Sequence, residues 1–360
     1  MQNAYWLRPA ADARRPASDG ASLAQGVLYL WFPDPHLLER AIDALHVNGS
    51  AERPSPSCVR VELEPGELGP CVLDVGSALG DDGARQARAL LLRRPDPPAL
   101  DDMGRVVPFR ELYAAIQTDW LLDQFERGLF TSHFHPIVHT HDIRRVFAHE
   151  ALLRGCGWRG APLEPLAILQ FAREAGLLEQ LDLAACRCAI RHAARLEDPA
   201  TVFVNFSPAM MKDADRCLRS TLSAVEAAGL SPDRFVFEVI EADHIDDANH
   251  LQRVLEHYRR DGFRVALDDL GAGWSTLNLV HRLRPDFIKL DRELIRDVHE
   301  DPVKDLIATK LLEIGRGLGI RTIVEGVEKP QELRWAQSRG ADFVQGFLIA
   351  RPAPSPGAPS

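Results

Sequence analysis

Apolar residues recur along this chain with changing periodicity, and the change divides it. Near the start, Val27-Leu28-Tyr29-Leu30-Trp31-Phe32 is a continuous apolar run that predicts a buried strand, and residues 58–63, Cys-Val-Arg-Val-Glu-Leu, alternate as a half-buried strand does. Leu37, Leu38, Ala41, Ile42 and Leu45 fall at helical spacing within 36–46, and a second helix is predicted over 84–92. Residues 93–103, rich in proline and aspartate, predict a linker. A helix follows over 109–127 with Leu112, Ile116, Trp120 and Leu121 on one stripe, suited to joining two modules or packing on a partner chain. From residue 133 onward short apolar runs alternate mostly with helical segments. They lie at 133–138, 146–153, 202–206, 235–240, 265–267, 287–290, 322–324 and 343–348, eight strands in all.

The intervening helices carry their own punctuation. Leu251, Val254, Leu255 and Tyr258 stand at i, i+3, i+4 and i+7 before Gly262, and Asp301-Pro302 supplies a cap and first turn for Val303, Leu306, Ile307, Leu311 and Ile314. No glycine-rich nucleotide loop follows the first of the eight strands, so the predicted class is α/β: a (β/α)8 TIM-like barrel preceded by a small N-terminal α/β module. The expected division is a loose tail over 1–22, the module over 23–105, a helical connector over 106–127, the barrel over 128–354 and a short tail over 355–360.

Composition narrows the setting. At 360 residues with 46% hydrophobic content the chain can bury substantial cores. It shows no run of the roughly 18 uncharged apolar residues that a membrane span needs, and no signal-peptide pattern, so a cytoplasmic protein without membrane partners is expected. A net charge of −10 argues against polymeric nucleic acid as a partner. The six cysteines show no metal-finger spacing, which leaves reduced, buried thiols.

The chemistry gathers where strands stop. Asp268 and Asp269 close the run Arg264-Val265-Ala266-Leu267 and precede Leu270-Gly271-Ala272-Gly273. Adjacent residues on a continuing strand point to opposite faces, so both carboxylates reach one site only if the strand ends there. In order, the second to eighth strands carry Glu150, Asn205, Glu238, Asp268 with Asp269, Lys289, Glu325 and Gln345. Glu238 shares parity with Val236 and Ile240, and so points where the core residues point. Five acids at one mouth repel unless divalent cations neutralise them, and all-oxygen ligation favours Mg²⁺ or Mn²⁺. Two such ions about 3.5–4 Å apart suit phosphodiester hydrolysis.

Taken together, Glu150-Ala151-Leu152 followed by Leu153-Arg154, then Asn205, Glu238 with Glu241, Asp268-Asp269-Leu270-Gly271, Lys289, Glu325-Gly326-Val327-Glu328 and Gln345-Gly346 resemble an EAL-domain cyclic-di-GMP phosphodiesterase over about residues 125–353. The resemblance implies that Glu150, Asn205, Glu238 and Asp268 hold one metal, and Asp268, Asp269 and Glu325 a second. It implies that Lys289 stabilises charge near the attacking water, that Gln345 orients the site, and that Glu241 steadies the loop after Asp269. Arg154 would contact the ligand's phosphate or guanine, and Glu328 would be a supporting acid near the second metal. His135 stands in His135-Pro136-Ile137-Val138, where the family often has glutamine, and is placed with base recognition. The implied reaction opens cyclic di-GMP to linear pGpG in a homodimer, with residues 271–276 linking substrate, metals and dimer interface. Leu270, Trp274 and Lys329 depart from the usual phenylalanine, tyrosine and threonine without removing an implied ligand.

The residues themselves leave alternatives open. Lys289 could pair with Asp291, Arg154 could be an ion-pair partner, and His135 could be a hydrogen-bonded core histidine. The barrel could bind the dinucleotide without cleaving it, or be an unrelated metal-assisted enzyme acting on carbonyl substrates.

Overall fold

The computed structural model describes residues 26–46, 51–93, 97–156, 162–163, 165–196, 200–206, 214–240, 248–271 and 276–354. These fall into two compact units, one built chiefly from residues up to 126 together with 170–176, the other from most of the remainder.

The first unit holds β1 (Gly26–Trp31), α1 (Pro35–His46), β2 (Ala51–Ser55), β3 (Cys58–Leu63), α2 (Leu68–Gln86), β4 (Arg88–Leu92), β5 (Val107–Pro108) and α3 (Phe109–Arg127). Its sheet has the order β2-β3-β1-β4-β5, antiparallel throughout. β1 is apolar on both faces because both are covered. Leu28 and Leu30 pack with Leu38, Ala41, Val72 and Val75, while Val27 and Tyr29 pack with Cys58, Leu90 and Leu92.

The helix expected over 84–92 is corrected. α2 ends at Gln86, Ala87 is extended, and β4 takes up the leucine run as a partner of β1. A short apolar run has no periodicity of its own, so tertiary pairing decides its state. α2 itself is hidden in the sequence by Gly69, Pro70, Gly76, Gly80 and Gly83. Close packing accounts for one of these: a Cβ on Gly76 would lie 2.2 Å from Tyr113 of α3.

The second unit runs β6 (Thr131–His139), β7 (Asp142–Cys156), β8 (Pro162–Leu163), the start of α4 (Pro165–Ala175), whose residues from 170 on count with the first unit, α5 (Leu178–Ala193) and β9 (Thr201–Phe206). It continues with α6 (Ala214–Ala227), β10 (Phe235–Ile240), α7 (Ala248–Arg260), β11 (Arg264–Leu270), α8 (Thr276–Leu283), β12 (Phe287–Leu290) and α9 (Arg292–Ile295). It ends with α10 (Pro302–Leu318), β13 (Arg321–Val324), α11 (Pro330–Arg339) and β14 (Phe343–Val344). Pairing from β14 through β13, β12, β11, β10, β9 and β7 to β6, and from β6 back to β14, closes an eight-stranded barrel. The TIM-like class expected from the sequence is therefore the class observed, with one strand reversed. β6 is antiparallel to both β7 and β14, because a short turn at Thr140 and His141 joins β6 to β7 where a crossover helix would otherwise stand.

The expected punctuation holds. Leu251, Val254, Leu255 and Tyr258 are buried on α7, the Tyr258 ring lying 4.9 Å from those of Phe206 and Phe237, and Gly262 follows at φ 95°. Asp301 caps α10 by accepting from the amides of Val303 at 2.8 Å and Lys304 at 3.2 Å. Inside the barrel, Ile137, Ala148, Phe203, Val236, Ala266, Phe287, Ile323 and Phe343, one from each strand, form a buried apolar layer.

Candidate metal centre

Side chains on a strand return to the same face every second residue, so the next interior position on each strand lies two residues from the apolar layer. On the seven parallel strands those positions are Glu150, Asn205, Glu238, Asp268, Lys289, Glu325 and Gln345. On β6, which runs the other way, the position is His135, two residues before Ile137, and its register partner is Glu150. The strands thus deliver the residues expected from the sequence as one polar layer at the barrel mouth.

Lys289 stands at the centre of the layer. Its Nζ lies 2.7 Å from Glu238 Oε1, 3.1 Å from Asp268 Oδ1 and 2.5 Å from Glu325 Oε1, with Glu150 Oε2 at 3.9 Å. Asp291 instead caps α9 by accepting from the Glu293 amide at 2.8 Å, so a Lys289–Asp291 pair is not the arrangement found. Glu150 is oriented from both sides, by the Gln345 amide at 2.8 Å on Oε2 and the Asn205 amide at 3.4 Å on Oε1.

The strand does not stop at Asp268, as expected, but continues to Leu270. The pairing of β11 with β12 shifts between Leu267 and Leu270, and Asp269 sits at φ 57° within that irregularity. A bulge re-aims side chains that a regular strand would turn apart. Asp268, Asp269 and Glu325 bring carboxylate oxygens within 4.8 Å of one another, and these three could hold a cation.

Electrostatics mark the layer as costly. Burial pushes the Glu238 and Glu325 carboxyls well above the ordinary value, and Lys289 offsets this only in part. Burial and the neighbouring Asp268 raise Asp269 to about 6. Burial alone would raise Glu150 as well, but Lys289, Gln345, His135 and Asn205 hold it below its usual range. Burial works against the charge of Lys289, yet Asp268, Glu150, Glu238 and Glu325 keep its pKa well above the ordinary lysine value. Glu238 is fully buried and its Oε2 has no hydrogen-bond partner among the described residues. An all-oxygen donor set with an orphaned buried carboxylate oxygen fits a hard divalent cation.

The remaining expected residues are placed as follows. His135 Nε2 lies 3.1 Å from the Ala350 carbonyl, and burial depresses its pKa. Arg154 is on the interior parity of β7, four residues beyond Glu150, where its guanidinium donates to the Leu153 carbonyl. Glu328 is exposed on the segment after β13, and Glu241 lies outside the described residues. Of loop residues 271–276, positions 272–275 also lie outside them. β14 is shorter than the strand expected over 343–348. After Val344 the chain turns to bond with the segment after β13, Val327 donating to the Gln345 carbonyl and Leu348 to the Val327 carbonyl. Gly346 permits this approach, since a Cβ there would lie 2.1 Å from Val327 O. The sequence pattern also gives Glu332 no role beyond the third position of a helix, whereas the structure buries it beside Glu328. Its one sequence signal is the helix start, Pro330 followed by an acid two residues on.

A closed barrel whose strand ends gather five carboxylates, a lysine and two amides at one mouth is, in class, a barrel with a candidate metal centre. Residues 118–352 match the EAL domain model, and the chain belongs to that family. Among its relatives, the cyclic di-GMP phosphodiesterase PdeR of Escherichia coli strain K12 is 28% identical over 64% of this chain and 35% of its own length. The blue light- and temperature-regulated antirepressor BluF of the same strain is 30% identical over 61% of this chain and 53% of its own. A crystal structure of a standalone EAL protein from Vibrio cholerae O395, in its c-di-GMP bound form, is 31% identical with a TM-score of 0.59, covering 64% of this chain and 95% of that one. The chain spans between 25% and 53% of the length of the first curated relatives it matches. No helix among the described residues is long and apolar enough to cross a membrane.

Proposed function

We propose that the chain is a phosphodiesterase that hydrolyses cyclic di-GMP to linear pGpG at the barrel mouth, using two divalent cations, Mg²⁺ or Mn²⁺. The observation that carries this reading is the polar layer itself, in which buried acids outnumber the cation beside them and one Glu238 oxygen is left without a hydrogen bond among the described residues. Glu150, Asn205, Glu238 and Asp268 would hold one ion, and Asp268, Asp269 and Glu325 the other. Such ions, when bound, lower the pKa of a coordinated water and stabilise both oxygens of an in-line displacement at phosphorus.

The chain's own residues do the rest. Lys289 remains protonated among its acids, so it supplies fixed positive charge where a phosphodiester gathers negative charge. Gln345 and Asn205 lock the rotamer of Glu150 by engaging both of its oxygens. Arg154, His135 and Glu328 would contact the dinucleotide, and Glu241 would steady the loop after Asp269. In the overall reaction one water adds across one P–O3′ bond: its oxygen becomes a phosphate oxygen, the bond to the ribose oxygen breaks, and that oxygen takes a proton. A homodimer in the cytoplasm is the working form in this reading.

Incubated with cyclic di-GMP and Mn²⁺ or Mg²⁺, the unaltered chain is expected to yield pGpG on chromatography, and Glu150→Ala to yield none. Unchanged dinucleotide with the unaltered chain would remove the hydrolytic reading. Binding without cleavage is the second reading, favoured by one observation: the Lys289 ammonium already pairs with three carboxylates. Tight binding of a dinucleotide that stays intact after long incubation with metal would identify it.

A further inference from the structure

We propose that Glu332 is the positioning residue that sets the metal affinity of this centre. The proposal rests on the metal reading above and concerns a side chain outside the ligand set. Glu332 is 1% exposed and stands in the first turn of α11, where the helix end favours a negative charge. Its carboxylate accepts three backbone N–H groups. Oε2 takes those of Glu328 and Lys329, each at 2.9 Å, and Oε1 takes that of Asp297 at 3.1 Å.

Those three amides belong to two segments that leave the barrel mouth. Glu328 and Lys329 lie on the turn after β13, three and four residues beyond Glu325. Asp297 lies on the turn after α9, downstream of β12 and Lys289, and sits at φ 58°, a conformation costly for a residue with a Cβ. One buried carboxylate therefore ties the segment carrying Glu325 to the segment that follows Lys289. A second tie runs parallel to it, from the Lys329 ammonium to the Asp297 carboxylate.

The turn after β13 has little other freedom. The Glu325 amide donates to the Leu290 carbonyl at 3.1 Å and the Val327 amide to the Gln345 carbonyl at 3.0 Å, both backbone contacts that any sequence would keep. Gly326, at φ 63°, lies against Arg292, where a Cβ would come within 2.3 Å of its side chain. The amides of Glu328 and Lys329 are the ones held by a side chain, and that side chain is Glu332. Removing it leaves three N–H donors without their acceptor and loosens the backbone three and four residues beyond Glu325, which makes the position of that carboxylate relative to Asp268 and Asp269 less well defined. A group that orients a ligand without touching the metal typically changes affinity by about 10- to 100-fold.

Mn²⁺ binding to the full chain, followed by the loss of the free-ion electron paramagnetic resonance signal, reads this without turnover. Glu332→Ala is expected to raise the Mn²⁺ dissociation constant by about 10- to 100-fold, and Glu332→Gln, which keeps the shape but only one of the two acceptor oxygens, by a smaller, measurable factor of about 3- to 10-fold. Asp342→Ala is the matched control. Asp342 holds the opposite end of β13, its Oδ2 accepting from the Thr322 amide at 2.8 Å and hydroxyl at 2.9 Å, so its loss should lower the melting temperature and leave the Mn²⁺ affinity unchanged. Should Glu332→Ala not fold, Glu332→Gln decides: an affinity equal to that of the unaltered chain overturns the proposal. Equal weakening by Asp342→Ala and Glu332→Ala also overturns it, since a general loss of stability would then account for both. If the unaltered chain takes up no Mn²⁺, the metal reading falls and this proposal with it; if the unaltered chain binds and Glu332→Ala binds as well, this proposal alone falls.

Discussion

Two residues along each strand separate two layers of opposite physical character. The layer of Ile137, Ala148, Phe203, Val236, Ala266, Phe287, Ile323 and Phe343 is apolar and buried. The layer of His135, Glu150, Asn205, Glu238, Asp268, Lys289, Glu325 and Gln345 sits in the same barrel on the same strands, and it carries charges that burial disfavours. The first layer stabilises the fold by removing apolar surface from water and by close aromatic contact, as where Phe203 and Phe287 meet at 5.1 Å. The second opposes folding unless a cation is present, and Lys289 supplies only one. Stability and chemistry are thus stacked, with a rigid floor holding a strained rim in place.

Breaking the floor should have the largest effect on folding. Phe287→Ala empties the centre of the apolar layer, where the ring also lies under the Arg321 guanidinium at 4.4 Å, and is expected to cost about 3–5 kcal/mol in chemical denaturation. The folded fraction should still bind Mn²⁺, because no polar residue has changed. A loss below about 1 kcal/mol would show that the layer does not carry the fold.

Removing the internal cation should cost somewhat less. Lys289→Met leaves Glu238, Asp268 and Glu325 without a counter-charge, and a metal-free loss of about 2–3 kcal/mol is expected, below the usual figure for a broken buried pair because the acids can take up protons. Added Mn²⁺ should restore much of that stability in the variant, whereas it cannot repair Phe287→Ala. Equal rescue of both would erase the distinction between the layers.

A smaller effect of opposite sign is expected at the rim. The Asp269 carboxyl titrates at about 6 against an ordinary 3.8, so its contribution to stability is present below the ordinary value and is lost as pH rises through about 6. At pH 8 in chelator, Asp269→Asn should therefore be more stable than the unaltered chain, by about 1 kcal/mol after allowance for solvent screening, while at pH 4 the two should melt alike. Destabilisation at pH 8 would mean that the carboxylate is held by favourable contacts instead.

Much of this contrast could be read before any coordinates. The polar residue at each strand end, with interior parity read for Glu238, was enough to place Glu150, Asn205, Glu238, Asp268, Lys289, Glu325 and Gln345 together, because strand ends and parity are local properties of the chain. What local pattern cannot carry is strand direction. β6 is reversed by a short turn, and that reversal puts His135, rather than a residue after Ile137, into the polar layer. The register shift around Asp269 depends on how β11 pairs with β12, which no single strand encodes. Glu332 accepts from two nearby amides and from that of Asp297, 35 residues away, so the tie between the two turns appears only once they meet. In the first unit, the glycines of α2 and the leucine run of β4 follow packing against their neighbours rather than intrinsic preference.

The most direct test of the contrast is a count of bound metal at equilibrium. Dialysed against Mn²⁺ at neutral pH and analysed by elemental mass spectrometry, the unaltered chain is expected to retain two ions and Asp268→Ala to retain none tightly, because that carboxylate is shared by both proposed sites. An unaltered chain that retains no Mn²⁺, or an Asp268→Ala variant that retains as much as its parent, would contradict a polar layer built to gather cations.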